Sequence, residues 1–217
     1  MKKILTIIFI TLLTGVNAFS NYIFIPMDND QKNHLKAYGL VFWCIKQEVS
    51  VDWLLNYEGG SFMVKYADPI AKELKIRGVS FNVISDGQSN QILQEIAHPE
   101  SNMDAMRLDV APKIAVYSPK SKQPWDDAVT LVLTYAEIPY DVIFDDEVLT
   151  GELAKYDWLH LHHEDFTGQY DKFWAFYRTK PWFIQRKNEY EALAKKHGFK
   201  DVPALKLGVT KKIKAYC

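Results

Sequence analysis

Lys113-Ile114-Ala115-Val116-Tyr117, the loop 118–123, the run 124–138 and Tyr140-Asp141-Val142-Ile143-Phe144 decide how this chain is read. The first block is a short apolar strand and the loop is polar. The run 124–138 has helical character, with Asp126 and Asp127 in its first turn, where negative charge suits the helix dipole. The last block is a strand again. Strand, helix, strand in this order predicts a parallel crossover. Residues 156–161 add a further strand. An aromatic stretch, 166–183, then leads to a basic helix ending near His197 and a last helix over 202–216.

The same alternation holds upstream. Tyr22-Ile23-Phe24-Ile25-Pro26 reads as a strand and 31–48 as a helix, with Leu35, Tyr38, Phe42 and Ile45 on one side. Residues 51–56 and 61–66 read as strands joined through Gly59-Gly60, a turn signal. Pro69 opens a helix that ends at Gly78. A strand over 79–84 and a helix to about Ala97 follow. Residues 98–112 contain Pro99 and Pro112 and read as the connection between two sub-domains, 19–110 and 111–217. The predicted fold is α/β, a mostly parallel sheet with helices on both faces. The chain stops on a helix, and 211–217 reads as the lead-in to another strand. It is therefore expected to be the N-terminal part of a longer protein.

The opening residues have a different purpose. Met1-Lys2-Lys3, the apolar run 4–13 and Val16-Asn17-Ala18 carry the charge, length and small-residue pattern of a secretory signal cleaved after Ala18. A largely apolar run of ten residues is too short for a span, which needs about 20. The expectation is an exported, periplasmic or extracellular protein with no stable membrane span after cleavage. The composition is 48% hydrophobic and rich in aromatics, enough to build a packed core. A net charge of −1, about −3 without Lys2 and Lys3, argues against nucleic acid as a partner. Charge is uneven: 126–171 holds twelve acidic residues and one lysine, whereas 172–217 holds twelve basic and three acidic. Two solvated surfaces that complement each other within the fold account for this; the alternative is a basic face for an anionic partner.

In open parallel sheets, ligands bind beyond the carboxyl ends of the strands. The richest such end is Asp157-Trp158-Leu159-His160-Leu161-His162-His163-Glu164-Asp165. Alternation puts His160 and His162 on one face and Leu159, Leu161 and His163 on the other. Imidazoles beside carboxylates can supply an acid and a base, or ligate zinc. Equally, the histidines can hydrogen-bond within the core while Glu164 and Asp165 cap the next helix. The spacing matches no closed metal signature, so no metal and no cofactor are expected. His162, His163, Glu164 and Asp165 are the candidate catalytic residues, with His160 deeper and structural. The second cluster is Lys120, Lys122, Asp126 and Asp127, where two ammonium groups beside a helix start can hold an anion. A solvated turn explains it too. There is no G-x-G-x-x-G, Walker lysine or G-x-S-x-G elbow.

Several long motifs carry a resemblance: Ile25-Pro26-Met27-Asp28, His34-Leu35-Lys36-Ala37-Tyr38-Gly39, Val51-Asp52-Trp53-Leu54-Leu55-Asn56-Tyr57, Trp125-Asp126-Asp127-Ala128-Val129-Thr130-Leu131, and Trp158 through Gly168. The chain resembles exported bacterial proteins commonly labelled asparagine synthetase B. The resemblance implies a class I glutamine amidotransferase-like, flavodoxin-like layout, continued beyond Cys217 by a segment bearing a cysteine-containing turn. The reaction in the label does not fit these residues. It needs a cysteine exposed by removal of Met1, where this chain has Lys2, and an S-G-G-x-D-S loop for ATP, which is missing.

Two functions follow as expectations. One is hydrolysis or acyl transfer on an amide or ester, with the nucleophile beyond Cys217 in the chain's own C-terminal half. The other is a non-catalytic module that binds a small molecule, a sugar or a cell-surface polymer through Trp158, Phe166, Tyr170, Phe173, Trp174, Tyr177 and Trp182. Core packing is the alternative use of those rings.

Overall fold

The computed structural model describes residues 21–119, 128–161 and 176–217. The first part runs β1 (Asn21–Ile25), α1 (His34–Lys46), β2 (Val51–Leu55), β3 (Ser61–Lys65), α2 (Asp68–Arg77), β4 (Asn82–Ser85), α3 (Asp86–Ile96) and β5 (Asp104–Leu108). Its local signals are physical. Asn33 caps α1 by accepting from the Lys36 N–H at 3.2 Å. Ser85 and Gln88 form a reciprocal capping box at the start of α3. Gly59 turns the β2–β3 hairpin at φ +79°, and a Cβ there would stand 2.4 Å from the Met27 carbonyl oxygen, so only glycine fits.

These five strands form one sheet in the order β4-β1-β3-β2-β5, every neighbouring pair antiparallel. The β-α-β-β-α-β connectivity, with β3 inserted between β1 and β2, is a split βαβ of ferredoxin-like topology. Strand β5 extends it on the β2 edge. Alternation along β1 sends Ile23 and Ile25 into the core under α1 and α2, beside Leu40, Cys44 and Leu74. Phe24 points the other way, to join Leu54, Met63 and Ile96 under α3.

The second part runs β6 (Ile114–Tyr117), α4 (Ala128–Ala136), β7 (Asp141–Ile143), α5 (Asp145–Leu149), a 3₁₀ turn (Glu152–Lys155), β8 (Trp158–Leu161), α6 (Pro181–Lys196) and α7 (Val202–Tyr216). Here the sheet is parallel, in the order β7-β6-β8. Ile114 and Val116 face Leu133 of α4 together with Phe42 of α1. Ala115, Tyr117 and Ile143 face Val148 of α5 and Val209 and Ile213 of α7.

Helices α1 and α4 join the two sheets. Gly39 lies so close to α4 that a Cβ would be 1.7 Å from the Ala136 carbonyl oxygen. Around this approach Asn33 Nδ2 donates to Tyr135 Oη at 2.8 Å, and Glu137 takes Lys36 Nζ at 2.5 Å and an Arg77 guanidinium nitrogen at 3.1 Å. No helix among the described residues is long and apolar enough to cross a membrane.

The predicted mostly parallel, flavodoxin-like sheet is therefore corrected. Among the described residues, five strands are antiparallel and only three are parallel. Strand–helix alternation is shared by a βαβ unit and by its split form. The two diverge when the Gly59-Gly60 hairpin folds β3 back between β1 and β2, so that β1 meets a neighbour running the other way. The stretch 98–112, read as a connection, contains β5. Its residues are mostly exposed and lack apolar alternation. Pairing with β2, with Trp53 opposite Met106, makes it a strand.

Candidate functional site

His162, His163, Glu164 and Asp165 lie outside the described residues, as do Lys120, Lys122, Asp126 and Asp127. The strands leading to them end side by side, with Tyr117 in register with Leu161. His160 pairs with Val116, one position earlier, while Leu159 and Leu161 pack into the core shared with α5 and α7.

Three side chains meet at the carboxyl ends of β6 and β7, and sequence reasoning did not single them out. Tyr117 closes β6, Asp145 opens α5 just beyond β7, and Lys206 comes from α7. Tyr117 and Asp145 are wholly buried and Lys206 is 2% exposed. Tyr117 Oη donates to Asp145 Oδ1 at 2.5 Å. Lys206 Nζ stands 2.8 Å from Oδ2 and forms an ion pair with it. The ammonium also lies 4.6 Å from the Phe144 ring centre and 4.5 Å from that of Tyr190, within cation–π reach of both. A buried charge needs such compensation. The signal was present in the sequence: Val202, Leu205, Lys206, Val209 and Ile213 form one helical stripe, and a lysine on an otherwise apolar stripe calls for a buried partner.

Above this group opens a cleft of about 410 Å³. Pro119 enters it from the end of β6, and Phe144, Asp146 and Glu147 from the β7–α5 junction. Helix α6 adds Arg186, Glu189, Tyr190 and Leu193. Glu147 turns back to accept from the Phe144 N–H at 3.0 Å, which fixes the junction. Asp146 is held by Lys196 Nζ at 2.7 Å and His197 Nε2 at 2.6 Å. Hydrogen bonds from Lys196 first and His197 second keep its carboxyl below the usual range, against a smaller opposing effect of burial. The cleft thus offers two aromatic rings, acceptor carboxylates and one guanidinium. Among its described lining residues there is no serine, threonine or cysteine nucleophile.

Two other hollows lie away from the strand ends. One of about 280 Å³ sits at the junction of the sheets between Phe42, Ile114 and Tyr140. A broader one of about 760 Å³ follows the α6–α7 turn, with Lys187, Lys195 and Lys200 among its lining residues. Cys44 is a buried thiol, pushed up to about 12 by desolvation against a smaller opposing effect of Arg77, and so is no nucleophile. Among the described residues no three His, Cys, Asp or Glu side chains gather as a metal site. Comparison of the chain with protein-family models, curated proteins and solved structures gives no match.

Proposed function

We infer that this chain is an exported binding module that holds a small hydroxylated ligand, a sugar or a sugar unit of a cell-surface polymer, in the cleft above Phe144 and Tyr190. One observation carries the reading: two aromatic rings stand beside carboxylates and an arginine in an open hollow at the ends of parallel strands. An aromatic face accepts the C–H face of a sugar ring through dispersion and its quadrupole. Carboxylate and guanidinium groups exchange charge-assisted hydrogen bonds with hydroxyls. Such a site combines an apolar bed with a few polar anchors. Calorimetric titration with neutral mono- and disaccharides should give saturable binding, and Tyr190→Ala should weaken it at least tenfold with the helical signal unchanged. Equal affinity in wild type and variant would sink the reading.

Hydrolysis or acyl transfer on an amide or ester is the second reading. The buried Tyr117–Asp145–Lys206 group favours it, because a fixed polar network beneath a strand-end cleft is a frequent support for chemistry. Release of ammonia from glutamine, or of nitrophenol from nitrophenyl esters, by purified protein would favour this reading over simple binding.

A further inference from the structure

The cleft does not end where the strand-end residues end. One stripe of α6 carries Trp182, Arg186, Glu189, Tyr190 and Leu193, at the spacings that bring helical side chains to one face. The last four line the cleft. Trp182 continues the stripe outward: the Arg186 guanidinium carbon lies 5.8 Å from its ring centre. Beside it stands Tyr177, with centroids 5.3 Å apart and planes at 52°. Trp182 is 50% exposed and Tyr177 39%. The indole is backed from within by buried Phe183, edge to face at 5.6 Å, which holds it while leaving surface in water.

Two aromatic platforms therefore sit on one stripe, separated by a guanidinium and a carboxylate. From Trp182 to Leu193 the stripe is about 16 Å long at 1.5 Å per residue, longer than a single sugar ring. A lipid surface would call for contiguous apolar area, which Arg186 and Glu189 interrupt. A chain of sugars alternates C–H faces with hydroxyl edges, as the stripe alternates rings with charged groups.

Resting on the binding reading above, we propose that the α6 stripe is a track for a linear glycan. One sugar unit lies in the cleft at Tyr190, and a unit two places further along the same chain stacks on Trp182 and Tyr177, the two platforms being eight helical positions, about 12 Å, apart. Trp182 is then a length-specificity residue that a free monosaccharide never touches.

The test is calorimetric titration of the whole chain with β-1,4-linked glucose and N-acetylglucosamine oligomers of one to four units. Wild-type affinity should rise at least tenfold between one and three units and then level off. Trp182→Ala should remove that rise while leaving single-unit affinity unchanged, and Trp182→Phe should restore part of it. Tyr190→Ala should weaken every length. If affinity is independent of length, or if Trp182→Ala weakens all lengths alike, the track is overturned while the cleft keeps its role. If no oligomer of either series binds, the track and the binding reading fall together.

Discussion

Lys206 and Asp145 show what a single buried charge costs. Their attraction offsets desolvation only while both are present, so removing one partner leaves an uncompensated ion in the interior. Lys206→Met or Asp145→Asn should each destabilise the fold by about 3–5 kcal/mol, whereas the same two changes together should cost much less than the sum. Urea unfolding of the three variants checks this through the coupling energy. Cys44 gives a second residue-level outcome. Its thiol is wholly buried and stays protonated, whereas Cys217 is exposed. A disulfide reagent such as DTNB should titrate one thiol in the native protein and two in denaturant. The acid side is set in part by Asp146 and Glu137, whose carboxyls are held down chiefly by hydrogen bonds from Lys196 and Lys36 respectively. Because the folded values are depressed, their stabilisation is complete above the ordinary carboxylate values of 3.8 and 4.5 and is lost as pH falls through the folded ones. The melting-temperature advantage of wild type over Asp146→Asn or Glu137→Gln should therefore be present at pH 7 and shrink by pH 3.

Among elements, α3 and β5 stand at opposite ends of local definition. Helix α3 is announced by Ser85-Asp86-Gly87-Gln88, whose side chains satisfy two end donors that would otherwise be open. Ser85→Ala should cost about 1 kcal/mol, read as a shift of the urea midpoint with unchanged slope. Strand β5 has no such signature and exists through its partner β2. Its hydrogen-exchange protection should therefore be lower than that of central β1 or β3. Helix α7 belongs with α3: Asp201 caps it by accepting from the Ala204 N–H at 2.8 Å, and its apolar stripe reads directly from the chain. What that stripe does not disclose is that Lys206 reaches an aspartate 61 positions earlier, since the pairing exists only once α7 lies across β6 and β7.

At the scale of the molecule, the two sheets are held by the approach of α1 to α4, and Gly39 is its narrowest point. Gly39→Ala places a methyl against a carbonyl that cannot yield without moving a helix. It should destabilise the protein by at least about 1–3 kcal/mol and broaden a single thermal transition as the two halves uncouple, which calorimetry reads directly. The first residues make a prediction of another kind: protein recovered from its native host should begin near Phe19, as terminal sequencing or intact mass would show. Most strand and helix positions were legible in the chain because they rest on periodicity, caps and turn residues acting within a few positions, as at Gly59-Gly60, Gly78 and Ser85; β5 and α5 were not. Candidate chemistry was legible only as residues near strand ends: it pointed to His162, His163, Glu164 and Asp165, which lie outside the described residues, and did not reach Asp145 and Lys206, whose pairing is not local. The pairing of strands was not legible, because helix-linked strands look alike whether or not a hairpin later fills the space between them. By itself, the sequence determined most of the strands and helices, β5 and α5 excepted, and which of their faces are apolar, since those are local free energies. Only the tertiary structure decided that β3 enters between β1 and β2, and that Tyr117, Asp145 and Lys206 share one buried point, because both depend on contacts between residues far apart in the chain.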